Sequence, residues 1–200
     1  MKVLLVNGSP RKNGCTYTAL NEMATVFGQA GIDTEFYHLG KQPVSGCVEC
    51  YSCRKTGRCA FDDANVLVDA MKATDGFVLG SPVFYAAPNG AFLALLDRVF
   101  FSGGDGFRGK VSASIISCRR AGSTAALDVL NKYNSYTQTI IASAQYWAMV
   151  HGNTPEEVLQ DEEGLQTIRT LATNMAWLLQ TTQGHPFPPA VPKVMTNFIR

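Results

Sequence analysis

The chain has 200 residues, 46% of them hydrophobic and 16% charged, with a formal net charge of +1. That length suits one ordinary α/β domain able to bury about 70% of its unfolded surface, and so even a balance of charge excludes the basic face that a nucleic-acid partner requires. No apolar run reaches membrane-spanning length and Met1-Lys2 leads straight into a strand, so a cytoplasmic chain is expected, in which six cysteines point to metal or redox roles rather than to a disulfide framework.

The first predicted element is a buried strand, Val3-Leu4-Leu5-Val6, followed by the loop Asn7-Gly8-Ser9-Pro10-Arg11-Lys12-Asn13-Gly14-Cys15-Thr16 and a helix with Leu20, Met23, Ala24 and Phe27 on one face. A helix start offers amides with no internal partner, and here glycines, hydroxyls and Arg11 coincide with it, which suits a phosphate group. Five residues separate Gly8 from Gly14 and Cys15 stands where a Walker loop needs Lys. The dinucleotide spacing fails at Ser9-Pro10, and no cysteine is followed at the sixth position by Arg. What remains is a Ser/Thr-rich loop of the kind that holds the phosphate of a mononucleotide such as FMN; the bland reading is a strand-to-helix turn with a solvated Arg-Lys pair.

Thr34 to Leu39 alternates and predicts a second strand towards an edge, with His38 at its end. A polar, cysteine-rich loop runs from Gly40 to Cys59. Asp62 or Asp63 is expected to cap a helix striped by Ala64, Leu67, Val68 and Met71. Gly76 to Gly80 predicts the third strand, which Pro82 is expected to end, and a helix carrying Phe92, Leu93, Leu96 and Val99 follows the aromatic loop Ser81 to Gly90. Ser102 to Gly109 reads as a glycine-rich surface loop. A fourth strand, Val111 to Ser117, delivers Cys118 to Thr124, with Ser123 or Thr124 expected as a helix cap. Ile140 to Ala144 predicts a fifth strand, Thr154-Pro155-Glu156-Glu157 a capping box, and Leu165, Ile168, Ala172, Met175 and Leu179 the stripe of a last helix. From about residue 184 a Pro-rich tail ends what is expected to be one domain over 1–200.

Alternating strands and helices predict an α/β three-layer sandwich around a five-stranded parallel sheet, in the flavodoxin-like order 2-1-3-4-5. A ligand crevice then lies at the carboxyl ends of strands one and three, where the Ser9 loop, the Ser81-Pro82 loop and the Cys118 loop meet.

With Gly8-Ser9-Pro10-Arg11, Ser81-Pro82-Val83-Phe84 and Asp97-Arg98 in hand, the chain resembles the NADPH-dependent FMN reductase family from Met1 to about Leu179. The resemblance implies FMN as cofactor. It implicates Ser9, Arg11, Gly14, Cys15 and Thr16 at the phosphate, Pro82, Val83, Phe84 and Tyr85 along the ribityl chain and ring, and Ser117, Cys118 and Gly122 at the ring's other edge. Many relatives have Asn in place of Cys15 and Lys in place of Leu93, so a side-chain contact to phosphate at 15 and an ion pair from 93 to Asp97 are not implied here; Asp97-Arg98 reads as structural.

Cys47-x2-Cys50-x2-Cys53-x5-Cys59 matches the compact motif of the iron-sulfur flavoproteins, a branch of the same superfamily. Four such thiolates suit a [4Fe-4S] cluster or zinc, and an empty cysteine loop is the third alternative. Arg54, Lys55 and Arg58 either offset thiolate charge or are solvated. The implied function is an FMN-dependent oxidoreductase taking hydride from NADH or NADPH and passing electrons to a small molecule or redox protein, with no catalytic side chain needed beyond the flavin. The alternative is a flavodoxin-like electron carrier without catalysis. The aromatics Phe84, Tyr85, Phe100, Phe101, Tyr146 and Trp147 exceed what one crevice needs, which predicts a homo-oligomer, dimer or tetramer.

Overall fold

The computed structural model describes residues 1–196 and 198; the end of the Pro-rich tail, at 197, 199 and 200, lies outside the described residues. Val3 to Val6 are buried throughout, as an apolar run is only when both faces of its strand are covered. Accordingly β1 (Lys2–Asn7) pairs in parallel with β2 (Asp33–His38) on one side and β3 (Gly76–Phe84) on the other. A two-residue β4 (Ala87–Pro88) folds back on the end of β3, and β5 (Val111–Cys118) lies parallel to β3 with every residue buried. β6 (Ile140–Ile141) and β7 (Met149–His151) both pair in parallel with β5, one near its start and one at its end.

The main path is β2-β1-β3-β5-β6, the expected flavodoxin-like order, although the sheet has seven strands rather than five. Two of the seven are fragments of one position. The fifth strand predicted over Ile140 to Ala144 keeps only two residues, leaves the sheet, and resumes at Met149 on the same flank of β5. The other extra strand is β4, and it corrects the expectation that Pro82 ends β3. Asn7, the last residue of β1, pairs with Gly80, so at Pro82 that flank of β3 has no neighbour and the missing N–H costs no ladder bond.

Helices cover both faces. On one lie α1 (Cys15–Gln29) and α7 (Glu162–Thr182), closing over Val3, Leu5, Val78 and Ile115 with Leu20, Met23, Phe27, Ile168 and Met175. On the other lie α3 (Asp62–Lys72), α4 (Gly90–Gly103) and α5 (Ser123–Tyr136), closing over Leu4, Val6, Phe77 and Leu79. The short α2 (Ser52–Thr56) and α6 (Pro155–Val158) sit in connections. The Thr154 cap forms, its hydroxyl accepting the Glu157 amide, but Glu157 Oε2 reaches past Thr154 to accept the Asn153 amide at 2.6 Å, so the capping box is only half made. Two other expected caps do not form. Phe61 precedes α3, leaving Asp62 and Asp63 in its first turn, and Gly122, at φ 84°, precedes α5 in place of Ser123 or Thr124.

Ser102 to Gly109 is not a surface loop. α4 runs to Gly103 and a 3₁₀ turn continues to Phe107, with Gly103, Gly104 and Phe107 buried. A Cβ at Gly103 would stand 2.5 Å from Val68, so glycine serves close helix packing here rather than flexibility. Phe100, expected among surplus surface aromatics, is core: it meets Phe77, Phe107 and Tyr133 with ring centroids 5.1–6.3 Å apart. Among the described residues no helix is long and apolar enough to cross a membrane.

The Phe77 ring is wholly buried and packs edge-on against Phe100 and Phe107. Phe77→Ala is expected to destabilise the fold by roughly 3–5 kcal/mol, read as a lower urea midpoint at unchanged slope.

Candidate functional site

Loop 1, from Gly8 to Gly14, is held as a fixed shape by its own short polar residues. Asn7 Oδ1 accepts the Ser9 amide at 3.0 Å, Asn7 Nδ2 donates to the Lys12 carbonyl at 3.1 Å, and Ser9 Oγ accepts the Arg11 amide at 3.1 Å. The Gly8 amide donates to the Gly80 carbonyl at 2.8 Å, which fixes the loop to β3. A Cβ on Gly8 would lie 2.3 Å from the Phe92 ring, so only glycine lets the loop lie this close to α4. His38 ends β2 with Nε2 3.0 Å from the Ser9 carbonyl, a supporting contact.

The loop delivers an open helix start. Gly14 precedes α1 without a side-chain cap and with no acidic residue in the first turn, and helical bonding begins only with the Thr18 amide on the Gly14 carbonyl. Earlier amides of that turn are left for an anion, and the helix dipole favours one there. Arg11 is exposed and makes no ion pair among the described residues. Thr16 is buried, its Oγ1 2.8 Å from Ser117 Oγ, so the first turn of α1 is bonded to β5 across the sheet.

The opposite wall is the β3–β4 hairpin. Tyr85 and Ala86 turn it at φ 51° and 61°, and Asn89 fastens its base. The Asn89 amide donates to Ser81 Oγ at 2.9 Å, its Nδ2 to the Gly8 carbonyl at 2.8 Å, and its Oδ1 accepts the Ala91 amide at the start of α4. Gly122 lies against the hairpin tip, where a Cβ would stand 2.7 Å from Ala86 Cα.

Between these walls opens a crevice of about 340 Å³, within the usual size of ligand clefts. Of the residues singled out in the sequence, Ser9, Arg11, Cys15, Thr16, Pro82, Val83, Phe84, Ser117 and Cys118 line it. Gly14, Tyr85 and Gly122 do not. Gly14 caps α1 just behind the loop, Gly122 supports the hairpin, and Tyr85 projects wholly into solvent at the tip. The sequence reading missed Arg119, Gly152 and Asn153. The last two follow β7, and the Thr154 capping box beside them marked a strand-to-helix loop at this edge. A larger hollow of about 560 Å³ lies at the amino ends of the strands, between Met1, Val111 and the tail. It is a poorer site, because its Lys110 ammonium is already taken by the carbonyls of Lys72 and Thr74, and ligands of open α/β sheets bind at the carboxyl ends.

Both crevice thiols are held protonated. Burial pushes the pKa of Cys15 up, against a smaller lowering by its own backbone and Arg11, and burial likewise pushes Cys118 up. Cys15 Sγ donates weakly to the Gly152 carbonyl at 3.6 Å. Neither is poised as a nucleophile.

The second cysteine group is separate. Cys47, Cys50, Cys53 and Cys59 line one small apolar cavity of about 20 Å³ with Tyr51, Phe61, Arg98 and Phe101, and share no lining residue with the crevice. All four are free thiols. Among the described residues no three His, Cys, Asp or Glu side chains are grouped tightly enough to grip a single metal ion. Four thiols are the donor set that a cubane or zinc takes, and a cavity this small must open to admit a cluster. Cys59 is anchored by a reciprocal pair with Asn65, amide to Oδ1 and Nδ2 to carbonyl, both at 2.9 Å, and its sulfur accepts the Phe61 amide at 3.5 Å.

The expected cations divide. Arg58 is drawn to Asp69, Arg54 stacks over the Tyr51 ring at 4.6 Å, and Lys55 forms no ion pair among the described residues. Arg98 pairs not with Asp97 but with Asp63, by two bonds of 2.6 Å. That pairing holds the Asp63 carboxyl below the usual carboxylate range, so its stabilisation is full above that range and fades as pH falls through the depressed value. Asp97 instead accepts the Tyr133 hydroxyl at 2.5 Å, and burial together with that carboxylate raises the phenol pKa.

The model of the NADPH-dependent FMN reductases matches residues 1–154. An iron-sulfur flavoprotein of Methanocaldococcus jannaschii is 29% identical over 185 residues, 88% of this chain and 96% of its own. An iron-sulfur flavoprotein of Archaeoglobus fulgidus is 26% identical over 194 residues, 90% of this chain and 97% of its own. Among solved structures, an archaeal flavodoxin superposes with a TM-score of 0.61 at 14% identity, covering 90% of this chain and 99% of that one, a likeness of fold.

Because burial holds Cys15 and Cys118 protonated, their alkylation in the flavin-free protein is expected to lag behind a free thiol at neutral pH. It should accelerate only as pH climbs past the ordinary thiol range, as followed by mass mapping of iodoacetamide adducts.

Proposed function

The chain belongs to the NADPH-dependent FMN reductase family, and on that premise we propose that it is an FMN-dependent NAD(P)H oxidoreductase of the iron-sulfur flavoprotein kind, working as one domain. FMN, when bound, supplies hydride acceptance and onward electron transfer. The observation that carries the reading is the meeting of an uncapped helix start, a free guanidinium and an apolar hairpin in one crevice. In this reading the first amides of α1, Arg11 and Ser9 hold the phosphate. Gly14 sets the helix start, and Thr16 and Ser117 fix the crevice floor. Pro82, Val83 and Phe84 shield one side of the ring, with Cys118 and its loop on the other and Gly122 and Tyr85 shaping the hairpin. Protonated Cys15 and Cys118 present neutral surface, so no thiolate places negative charge or a nucleophile against the flavin. NADH or NADPH is the reductant, and a small molecule or redox protein the acceptor.

Four thiols around one apolar cavity support the second half of the reading, in which Cys47, Cys50, Cys53 and Cys59 hold a [4Fe-4S] cluster that takes electrons onward. That cavity also favours a second reading, an electron carrier with no nicotinamide turnover of its own. Steady-state NAD(P)H oxidation with added quinone separates the two. Exposed Phe84, Tyr85, Phe101, Tyr146 and Trp147 support a homo-oligomer that covers them.

Two measurements test the site. Arg11→Gln is expected to weaken FMN about ten- to a hundredfold, the loss of one charge-assisted bond, and Ser9→Asp to abolish it, while weak binding of riboflavin, which lacks the phosphate, stays unchanged in both. Equal losses for the two ligands would place the phosphate elsewhere.

Anaerobic reconstitution is expected to give brown protein with about four irons per chain, and Cys50→Ser to lower the iron while FMN remains bound. Equal background iron in both proteins would make the loop a vestige or a zinc site.

A further inference from the structure

Resting on the reading that Cys47, Cys50, Cys53 and Cys59 hold a cluster, we propose that Arg98 is the fixed cation of that site: its buried guanidinium donates a hydrogen bond to sulfur beside Cys59 and raises the cluster's reduction potential. Arg98 is 2% exposed and sits well inside α4, not on a mobile loop. Asp63 occupies two of its donor nitrogens. The remaining one, Nε, is sealed from water with no acceptor. A buried N–H left without a partner is costly and rare, and marks a place where an acceptor belongs.

The side chain lines the same cavity as the four cysteines. A neutral thiol accepts hydrogen bonds weakly; a thiolate or cluster sulfide is an anionic acceptor and satisfies this donor. The Phe61 amide already converges on the same sulfur, and the guanidinium carbon lies 5.3 Å from the Phe61 ring centroid, so the cation is shielded from water there too. The cations between those cysteines, Arg54, Lys55 and Arg58, are all exposed to solvent. Arg58 is bound to Asp69 and half-exposed, and Arg54 lies over Tyr51 and Phe101.

The charge effect has a definite sign. A cubane with four thiolates is anionic, and taking up one electron makes it more so. A guanidinium in a medium of low dielectric therefore stabilises the reduced state more than the oxidised one. Asp63, on the far side of that cation, opposes it.

The test is an anaerobic potentiometric titration of the reconstituted full-length protein with dithionite, followed by electron paramagnetic resonance, with iron counted beforehand. Arg98→Met is expected to shift the midpoint to more negative potential, Arg98→Lys to shift it less in the same direction, and Asp63→Asn to shift it to more positive potential. Opposite signs from two halves of one ion pair are a charge effect; a packing defect in either variant gives no such pattern. Wild-type protein that takes up no cluster overturns the underlying reading and this proposal with it. A loaded wild type whose midpoint is unmoved in Arg98→Met overturns the role of Arg98 alone. Should Arg98→Met fail to load, an Arg98→Lys midpoint equal to wild type, or an Asp63→Asn midpoint not more positive than wild type, overturns it equally.

Discussion

The carboxyl edge of the sheet depends on one buried carboxamide. The Asn89 side chain joins loop 1, through the Gly8 carbonyl, to the start of α4, through the Ala91 amide, while its backbone amide ties both to the end of β3 at Ser81, so one residue fixes three segments to one another. Each bond alone contributes about 1 kcal/mol. Their value lies in geometry, because each satisfies a backbone group that the converging loops would otherwise bury unpaired. The Gly8 amide on Gly80 and the Phe92 ring against Gly8 complete the fastening. A phosphate loop made this rigid meets an anion with its amides already arranged, and little ordering remains to oppose binding.

Much of this was legible in the sequence for reasons that can be stated. Val3 to Val6 is apolar without alternation, and only a central parallel strand buries such a run; Leu20, Met23 and Phe27 recur at helical spacing and face inward as that spacing requires. Three loops at one edge follow from strand order alone, so nine of the twelve crevice residues singled out in the sequence line the same cleft. What could not be read was a matter of neighbours. Pro82 ends a strand only if its N–H is needed, and whether it is needed depends on where β1 stops. Gly103, Gly106 and the other glycines after α4 look like a loop because composition does not distinguish a flexible glycine from one squeezed by Val68 or Lys72.

Asn89 itself escaped notice for the same reason. In sequence it is a turn former before Gly90; its bonds to residues 8 and 81 exist only in the folded chain. Gly152 and Asn153 were hidden by the break in the fifth strand position. The chain leaves the sheet between Ile141 and Met149, so the strand that carries them to the crevice is three residues long and has no periodicity of its own. Arg98 reads as structural in the sequence, which gives it no partner. Adjacent Asp97 faces the Tyr133 hydroxyl, while Asp63 arrives from another helix.

These pieces converge on α4. Its first turn is fixed to the crevice through Asn89, and nine residues later, about 13 Å along the axis, it presents Arg98 to the cysteine cavity. Between the two, Phe92, Leu95 and Leu96 are buried in the core, so the helix has no freedom to tilt one end without moving the other. A rod packed in this way holds two sites at a set separation more firmly than a loop would. The cysteine loop has little regular structure of its own, with only the five residues of α2 and left-handed turns at Glu49 and Tyr51. Its position is therefore set from outside, by Asn65 on Cys59 and by the Arg98–Asp63 pair between α4 and α3. The buried cation thus does for the cysteine loop what the buried carboxamide does for the phosphate loop: each lets one rigid helix dictate where a polar, irregular segment must lie.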